Sequence, residues 1–459
     1  MEYSSEEGGL RAPKREPLIT SNPDFWDKDS LDKEMRRQFD ICHSCRRCFN
    51  LCDSFPRLFD LIDSSQSMEL DTVNSSDFKQ VTDACTLCDM CFMVTCPYVP
   101  PHEFSIDIPS LILRSRAIDF KSKSYSLVSN ELTKIDRNAK FAKHFYILIN
   151  WLIKKSNSFS RKILEIIFSI DRNSSLPGYS KKTLLQRFPK DSTTLEESSH
   201  SHRRKVILYS GCYSNYQNTN IGDAAVKVLK YNGINIKILH PECCGMPTLE
   251  LGNIEEVKKK ALRISSVFKK YIDSGYEIVS PIPSCVLMMK THWPLLLPDD
   301  LNIKSLSLNI KDIDEYIVEL EKNGGLNKSF KPLNNNISLH LACHSRAQNL
   351  GSNATKMLSL IPKSKINTVL KCSGHGGIWG IKRKWHSVAM KLGRPLGRAL
   401  KKEENDFIVS TCPLAALHIE DIVSDMEFAK TNLKVYHPIE IMALSYGIYN
   451  EKGNSHGRS

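Results

Sequence analysis

Eight cysteines in two bursts constrain this chain more than any other feature. The first burst is Cys42-His-Ser-Cys45-Arg-Arg-Cys48-Phe-Asn-Leu-Cys52, and the second is Cys85-Thr-Leu-Cys88-Asp-Met-Cys91-Phe-Met-Val-Thr-Cys96-Pro97. Three thiolates spaced two residues apart wrap one iron–sulfur cubane along a tight loop, and the fourth cysteine of each burst reaches the other cluster. By that rule Cys42, Cys45, Cys48 and Cys96 hold one [4Fe–4S] cluster, and Cys85, Cys88, Cys91 and Cys52 hold a second. Zinc sites use paired C-x2-C units rather than triples with a fourth member, so cubanes are the expectation. Two departures from the bacterial spacing stand out: Asp53 rather than proline follows Cys52, and one extra residue separates Cys91 from Cys96. The interval between the bursts has room for helical turns. Residues 31–120 are therefore expected to form a helical, two-cluster ferredoxin-type domain behind a polar tail, 1–30.

Fifteen cysteines in 459 residues would also suit a secreted disulfide protein. Met1, however, leads into Glu2, Glu6 and Glu7, with no apolar stretch behind a basic start, so the reducing cytoplasm is the expected compartment. The net charge of +12 has a location: residues 111–205 hold 20 Lys/Arg against 8 Asp/Glu. A basic sector of this kind suits an acidic partner or an anionic membrane. No nucleic-acid-reading motif accompanies it, so nucleic acid is not an expected partner. Residues 121–204 read as a basic helical segment ending in a polar linker around Asp191–His202. Within it Phe141, Phe145, Leu148, Ile149 and Leu152 recur at helical spacing, while Tyr146, Ile147, Trp151 and Ile153 fill much of the other face; a second apolar run follows at Ile163–Ile170. Helices apolar all round are usually core, so packing against the rest of the chain is the first expectation. Peripheral contact with the inner face of the membrane is the alternative.

From residue 205 onward short β-rich runs alternate with helical patterns: Val206–Tyr209, Ile236–Leu239, Tyr276–Val279, Ser338–Leu341, Asn367–Leu370 and Phe407–Val409. Such alternation predicts βαβ units around a parallel sheet. The sequence repeats itself here. Leu208-Tyr-Ser-Gly-Cys212 matches Leu339-His-Leu-Ala-Cys343, Cys243-Cys244-Gly245 matches Cys372-Ser373-Gly374, and Cys285 and Cys412 each follow an Ile-Val-Ser run. Two related α/β domains are expected, 205–325 and 337–450, with the boundary near the Asn/Gly-rich stretch 323–336. The fold class is thus multidomain, α followed by α/β.

The paired repeats, each with an early cysteine, a Cys-Cys-Gly or its equivalent and a late cysteine, resemble the paired cysteine-rich domains of heterodisulfide reductases. A double ferredoxin module ahead of two such domains is similar to the arrangement in the glycerol-3-phosphate dehydrogenase and glycolate oxidase iron–sulfur subunits. Within that group, Cys85-Thr-Leu-Cys-Asp-Met-Cys-Phe-Met, the Cys-Pro-Tyr-Val-Pro-Pro-His102 that follows, and Cys372-Ser-Gly-His-Gly-Gly377 resemble most the heterodisulfide-reductase-related proteins found beside rubrerythrin. The resemblance implies an iron–sulfur electron-transfer subunit of an oxidoreductase, with rubrerythrin or a flavoprotein as redox partner. Complete relatives carry five cysteines per repeat and can hold a non-cubane cluster that splits a disulfide. This chain departs from that set. The first repeat keeps Cys212, Cys243, Cys244 and Cys285, with Ile282 at the fifth position. The second keeps Cys343, Cys372 and Cys412, with Ser373 and Ala415 at the others.

Three readings of these seven stand side by side: one shared metal site with His344, His375 or His437 as a nitrogen ligand, a four-thiolate iron–sulfur or zinc site in the first repeat alone, or buried structural cysteines. Gly374-His-Gly-Gly377 reads first as a turn, with a close approach to a metal or anion as the sharper alternative. No nucleophile–base arrangement and no P-loop accompanies these motifs. Two rivals to electron transfer follow: a thiol- or disulfide-reducing enzyme with a third metal centre, and a redox-sensing or scaffold protein without turnover.

Overall fold

The computed structural model describes residues 13–189, 204–402, 404–426 and 434–449. The stretch expected to be a linker, 191–202, lies outside the described residues. The chain forms two compact units, one built from 1–133 with 245–258 and 292–298, the other from 134–244, 259–291 and 299–459.

The first unit is helical. Helix α1 (Lys28–Cys45) starts at Asp27, whose carboxylate accepts the Ser30 N–H at 2.7 Å, and buries Leu31, Met35 and Phe39, spaced four apart on one face. It stops where Arg46 turns into the left-handed region at φ 50°. Helix α2 (Ser54–Asp63) buries Phe55, Leu58, Phe59 and Ile62, and α3 (Phe78–Ala84) buries Phe78 and Val81. Helix α4 (Ile108–Lys121) is capped by Asp107 and carries Pro109 in its first turn, where a missing N–H has no cost. Residues 13–30, placed at the sequence level in a polar tail, are part of this unit. Leu18 donates to the Leu295 carbonyl at 2.8 Å, and Phe25 is buried with Trp26 edge-on against it. Helix α5 (Leu127–Thr133) closes the segment.

The second unit holds two four-stranded, all-parallel sheets. The first comprises β1 (Lys205–Tyr209), β2 (Asn235–Leu239), β3 (Tyr276–Ser280) and β4 (Ile310–Asp312), in the order β2-β1-β3-β4. The second comprises β5 (Asn336–His340), β6 (Lys365–Val369), β7 (Phe407–Ser410) and β8 (Val435–Tyr436), in the order β6-β5-β7-β8. The two orders are the same, as two copies of one unit require. Registers agree too: Val206 sits beside Ile236 in the first sheet and Ile337 beside Ile366 in the second. The central strands β1 and β5 are both buried from their second residue on, β1 as a continuous apolar run and β5 with Ser338 and His340 buried among apolar residues. Edge strand β4 has three residues, too short to give a pattern in sequence.

Helices α6 (Ile135–Ala142), α7 (Tyr146–Ile153) and α8 (Ser158–Phe168) also belong to this unit. Helices α7 and α8 correct the expectation that the apolar segments of the basic middle pack as core, whereas α6 buries Ala139 and Ala142. Helix α7 has no buried residue at all, and the buried residues of α8 are Ser160, Arg161 and Glu165. Among the described residues no helix is long and apolar enough to cross a membrane.

Candidate metal centre

In the first unit, Cys42 and Cys45 lie one turn apart at the end of α1, and the Arg46 N–H returns to the Cys42 carbonyl at 2.8 Å. The chain then turns through Cys48 to Cys52, which accepts N–H groups from Ser54 and Phe55 at the start of α2. Cys85 follows α3 and accepts the Leu87 N–H at 3.4 Å. Leu87 and Asp89 both take the left-handed conformation, so the loop coils tightly enough to bring Cys88 and Cys91 round. Cys91–Thr95 is a single turn of π-helix, closed by the Cys96 N–H on the Cys91 carbonyl at 2.8 Å. That wider turn takes up the extra residue between Cys91 and Cys96.

The thiols fall into two groups across the bursts. Cys42 is within electrostatic reach of Cys96, Cys48 and Cys45, and Cys91 within reach of Cys88, Cys85 and Cys52, with Cys48 of the other group beyond them. Burial first, and the neighbouring thiols second, push Cys42, Cys52 and Cys91 well above the ordinary thiol range, and Cys48 up to about 12. Crowding of this kind is relieved when a cationic core shares the charge of four thiolates. The first group lines a hollow shared with Arg47, Phe55, Phe59 and Tyr98. Among the described residues no three His, Cys, Asp or Glu side chains close round a point that would hold a single ion. With four thiols in each group, the donor sets fit a polyatomic iron–sulfur cluster. The backbone N–H groups aimed at Cys52, Cys85 and Cys96 are those that tune thiolate-bound iron.

One feature escaped the sequence. Arg15, from the supposed tail, grips both Asp89 of the second loop and Asp107, the cap of α4. Its Nη1 and Nη2 lie 3.0 and 3.1 Å from Asp89, and its Nε and Nη2 lie 2.7 and 3.2 Å from Asp107. The guanidinium also covers the Phe92 ring at 4.2 Å. The side chains of Arg15 and Asp89 are 6% and 2% exposed, and His292 Nε2 lies 3.6 Å from Asp89. This clamp fixes Asp89, one of the two residues between Cys88 and Cys91.

In the second unit the cysteines sit beyond the carboxyl ends of parallel strands, where such sheets carry their sites. Cys212 follows β1, Cys243 and Cys244 follow β2, and Cys285 follows β3. Cys212 and Cys243 Sγ atoms are 3.9 Å apart, and Cys244 makes thiol contacts with both Cys243 and Cys285. All four cysteines of the first repeat are thus brought together. Gly211, at φ 64°, permits the approach, since a Cβ there would stand 3.2 Å from Cys285 Sγ. Ile282 fills the vacant fifth position as a buried side chain. Asp136, from α6, accepts the Cys243 N–H at 2.5 Å and a 2.8 Å bond from His240 Nε2.

The second repeat is arranged differently. Cys343 begins the short helix Cys343–Arg346, and Cys372 is exposed and accepts the Gly374 N–H at 3.2 Å. Cys412 caps helix Pro413–Asp425, accepts the Leu414 and Ala415 N–H groups, and lies in electrostatic reach of Cys285. Buried Ser373 and Ala415 stand at the missing positions.

Of the three histidines, His344 Nδ1 bonds Ser284 Oγ at 2.8 Å. His437 caps helix Pro438–Ser445, accepting the Ile439 N–H at 3.2 Å, and its ring is also hydrogen-bonded to the backbone of Thr411 and Pro281, so it serves the fold. His375 is held neutral, its pKa lowered to about 3 by burial, and its ring lies 6.2 Å from that of His418. Gly374 lets this loop press on helix His386–Lys401, where a Cβ would meet the Ala389 carbonyl at 2.1 Å. That contact accounts for the glycine without a ligand.

Comparison with known proteins agrees with this layout. Residues 35–122 match the Citrate utilization protein B Fer4-like domain, and residues 206–290 and 337–420 each match the Cysteine-rich domain. The chain is 24% identical over 287 residues to one of the subunits of the anaerobic glycerol-3-phosphate dehydrogenase of Escherichia coli K12, covering 62% of this chain and 68% of that one. It is 24% identical over 256 residues to one of the subunits of the dihydromethanophenazine:CoB–CoM heterodisulfide reductase of Methanosarcina barkeri, covering 53% and 59%. The lactate utilization protein A of Bacillus subtilis is 28% identical over 187 residues, covering 39% and 75%.

Proposed function

We propose that this chain, one Fer4-like domain followed by two cysteine-rich domains, is the electron-transfer subunit of an oxidoreductase and binds two [4Fe–4S] clusters. The observation that carries the reading is the crossed grouping of thiols, Cys42/Cys45/Cys48/Cys96 and Cys85/Cys88/Cys91/Cys52. Bound clusters would supply one-electron carriers, and two held this close suit a relay better than bond-making. The chain's own residues hold the cages, aim N–H groups at the sulfurs, and lock the Cys88–Cys91 loop through Arg15. Related proteins named as subunits of larger enzymes support a partner that gives or takes the electrons, a flavoprotein or rubrerythrin among the candidates.

A third, iron–sulfur centre is proposed at Cys212, Cys243, Cys244 and Cys285, because these four thiols follow one another in contact, Cys212 to Cys243 and Cys244 to both Cys243 and Cys285, with the last three buried. The same contacts favour thiol or disulfide chemistry as the second reading. Anaerobic reconstitution followed by iron and sulfide assay tests both. About eight of each per chain supports two cubanes, and about twelve adds a third cluster. A dithionite-reduced protein with no cubane signal would overturn the proposal.

A further inference from the structure

Helices α7 and α8 are built inside out. In a water-facing protein a surface helix turns its apolar stripe inward and its charges outward. Here the inward side is polar. Arg161 is 1% exposed and donates to the backbone carbonyls of Asp171, Arg172 and Ser174 at 2.6–3.1 Å. Glu165 bonds Arg172 at 2.9 Å, Asn150 exchanges two bonds of 2.7 and 2.9 Å with the Tyr179 backbone, and Lys155 pairs with Asp421. These bonds fix the two helices with their apolar side outward. On that side Ile147 is 70% exposed, Trp151 58%, Phe159 75% and Ile166 70%, with Phe145 and Ile167 beside them.

Exposed apolar patches rimmed by polar residues mark interaction surfaces. Helix α7 has eight residues, about 12 Å of helix, so it can lie in an interface and cannot span one. Lys140, Lys143, Lys154 and Lys162 flank the patch residues along the chain, and the sector from 111 to 205 holds the chain's charge excess. Aromatic and aliphatic side chains projecting from a basic rim match the boundary between anionic headgroups and acyl chains. We infer that the α7–α8 face docks this protein onto an anionic membrane surface, with Ile147, Trp151, Phe159 and Ile166 entering the acyl boundary. This inference stands on the helices alone and does not depend on the cluster assignment.

The test uses the full, cluster-loaded protein sedimented with vesicles of phosphatidylcholine alone and of phosphatidylcholine mixed with phosphatidylglycerol. The protein is expected to pellet with the anionic vesicles and to be largely released by high salt. Bromine-labelled acyl chains should quench its fluorescence, and Trp151→Phe should remove that quenching. Ile147→Ser combined with Ile166→Ser should weaken vesicle binding by at least about tenfold, since apolar burial sets interfacial affinity. Both sites are exposed, and unchanged cluster absorbance certifies the fold. Wild-type protein left in the supernatant with anionic vesicles overturns the inference, as does equal binding by the double variant. Self-association through the same residues without vesicle binding also overturns it and identifies a second copy as the occupant.

Discussion

Replacing Arg15 with glutamine removes the cation between two carboxylates while keeping a polar side chain of similar length. Four bonds of 2.7–3.2 Å and the contact over Phe92 are lost together. More important is what remains: Asp89 is 2% exposed, and neither it nor Asp107 has water enough to replace the guanidinium. Breaking a buried pair by removing one partner costs about 3–5 kcal/mol. For a unit of this size each kcal/mol moves the melting temperature by about 2–4 °C, so a fall of about 6–20 °C is expected. Lysine keeps the charge without the fork that reaches both carboxylates, and Arg15→Lys should fall between the two. Anaerobic urea unfolding of the loaded protein measures the change, with iron content recorded beside it. Adding Asp89→Asn to Arg15→Gln should recover part of the loss, because it removes one of the stranded charges. A glutamine variant within about 1 kcal/mol of wild type, or a lysine variant no better than glutamine, would refute the clamp.

Cys96→Ser should abolish the signal of the cluster built mainly on the first burst and spare the other, while Cys52→Ser should do the reverse; EPR of each reduced variant reads this, and loss confined to the mutated burst's own cluster would contradict the crossed grouping. Gly211→Ala forces a side chain into a left-handed site and against Cys285 Sγ, so it should lower metal content at the first-repeat thiols and cost about 1 kcal/mol or more in stability, by metal assay and urea midpoint. His340, His418 and His437 are buried neutral, with pKa values lowered to about 4, 4 and 3. Their folded values lie below the unfolded one, near 6.5, so the unfolded chain takes the proton first. Stability is then full above about pH 6.5 and falls toward pH 4 by about 1.4 kcal/mol per pH unit for each histidine. His437→Asn, which can still cap its helix, should flatten the slope of unfolding free energy against pH by about one proton; an unchanged slope counts against the assignment.

The Fer4-like domain was legible because its signal is local: six of the eight cysteines in its two bursts lie in triples. The repeats were legible because three anchors recur in step, and six of the eight strands overlap β-rich runs in sequence. Strand β4 did not show, since three residues cannot display a period. Arg15 was hidden by distance, for nothing near it in sequence announces Asp89 or Asp107, 74 and 92 residues away. The helices α7 and α8 were misread for a different reason. Periodicity reports that apolar residues share a face but is silent on which way the face points. The signal present was Glu165 inside the apolar run 163–170, with Arg161 just before it: charges that needed partners to be buried.

The proposed exchange of fourth cysteines between the bursts would have a consequence for how the protein is made. Cys48 and Cys96 are 48 residues apart, which is roughly 2–10 s of synthesis at ~5–20 residues per second. For that time the first three thiols leave the ribosome without the one that completes their cage, and Cys52 waits likewise for the second loop. Iron loading would then follow translation of the whole helical unit. Until that point the nascent chain would present bare thiols open to oxidation and stray metals, and supply of reductant and cluster carriers during expression would set the yield of loaded protein.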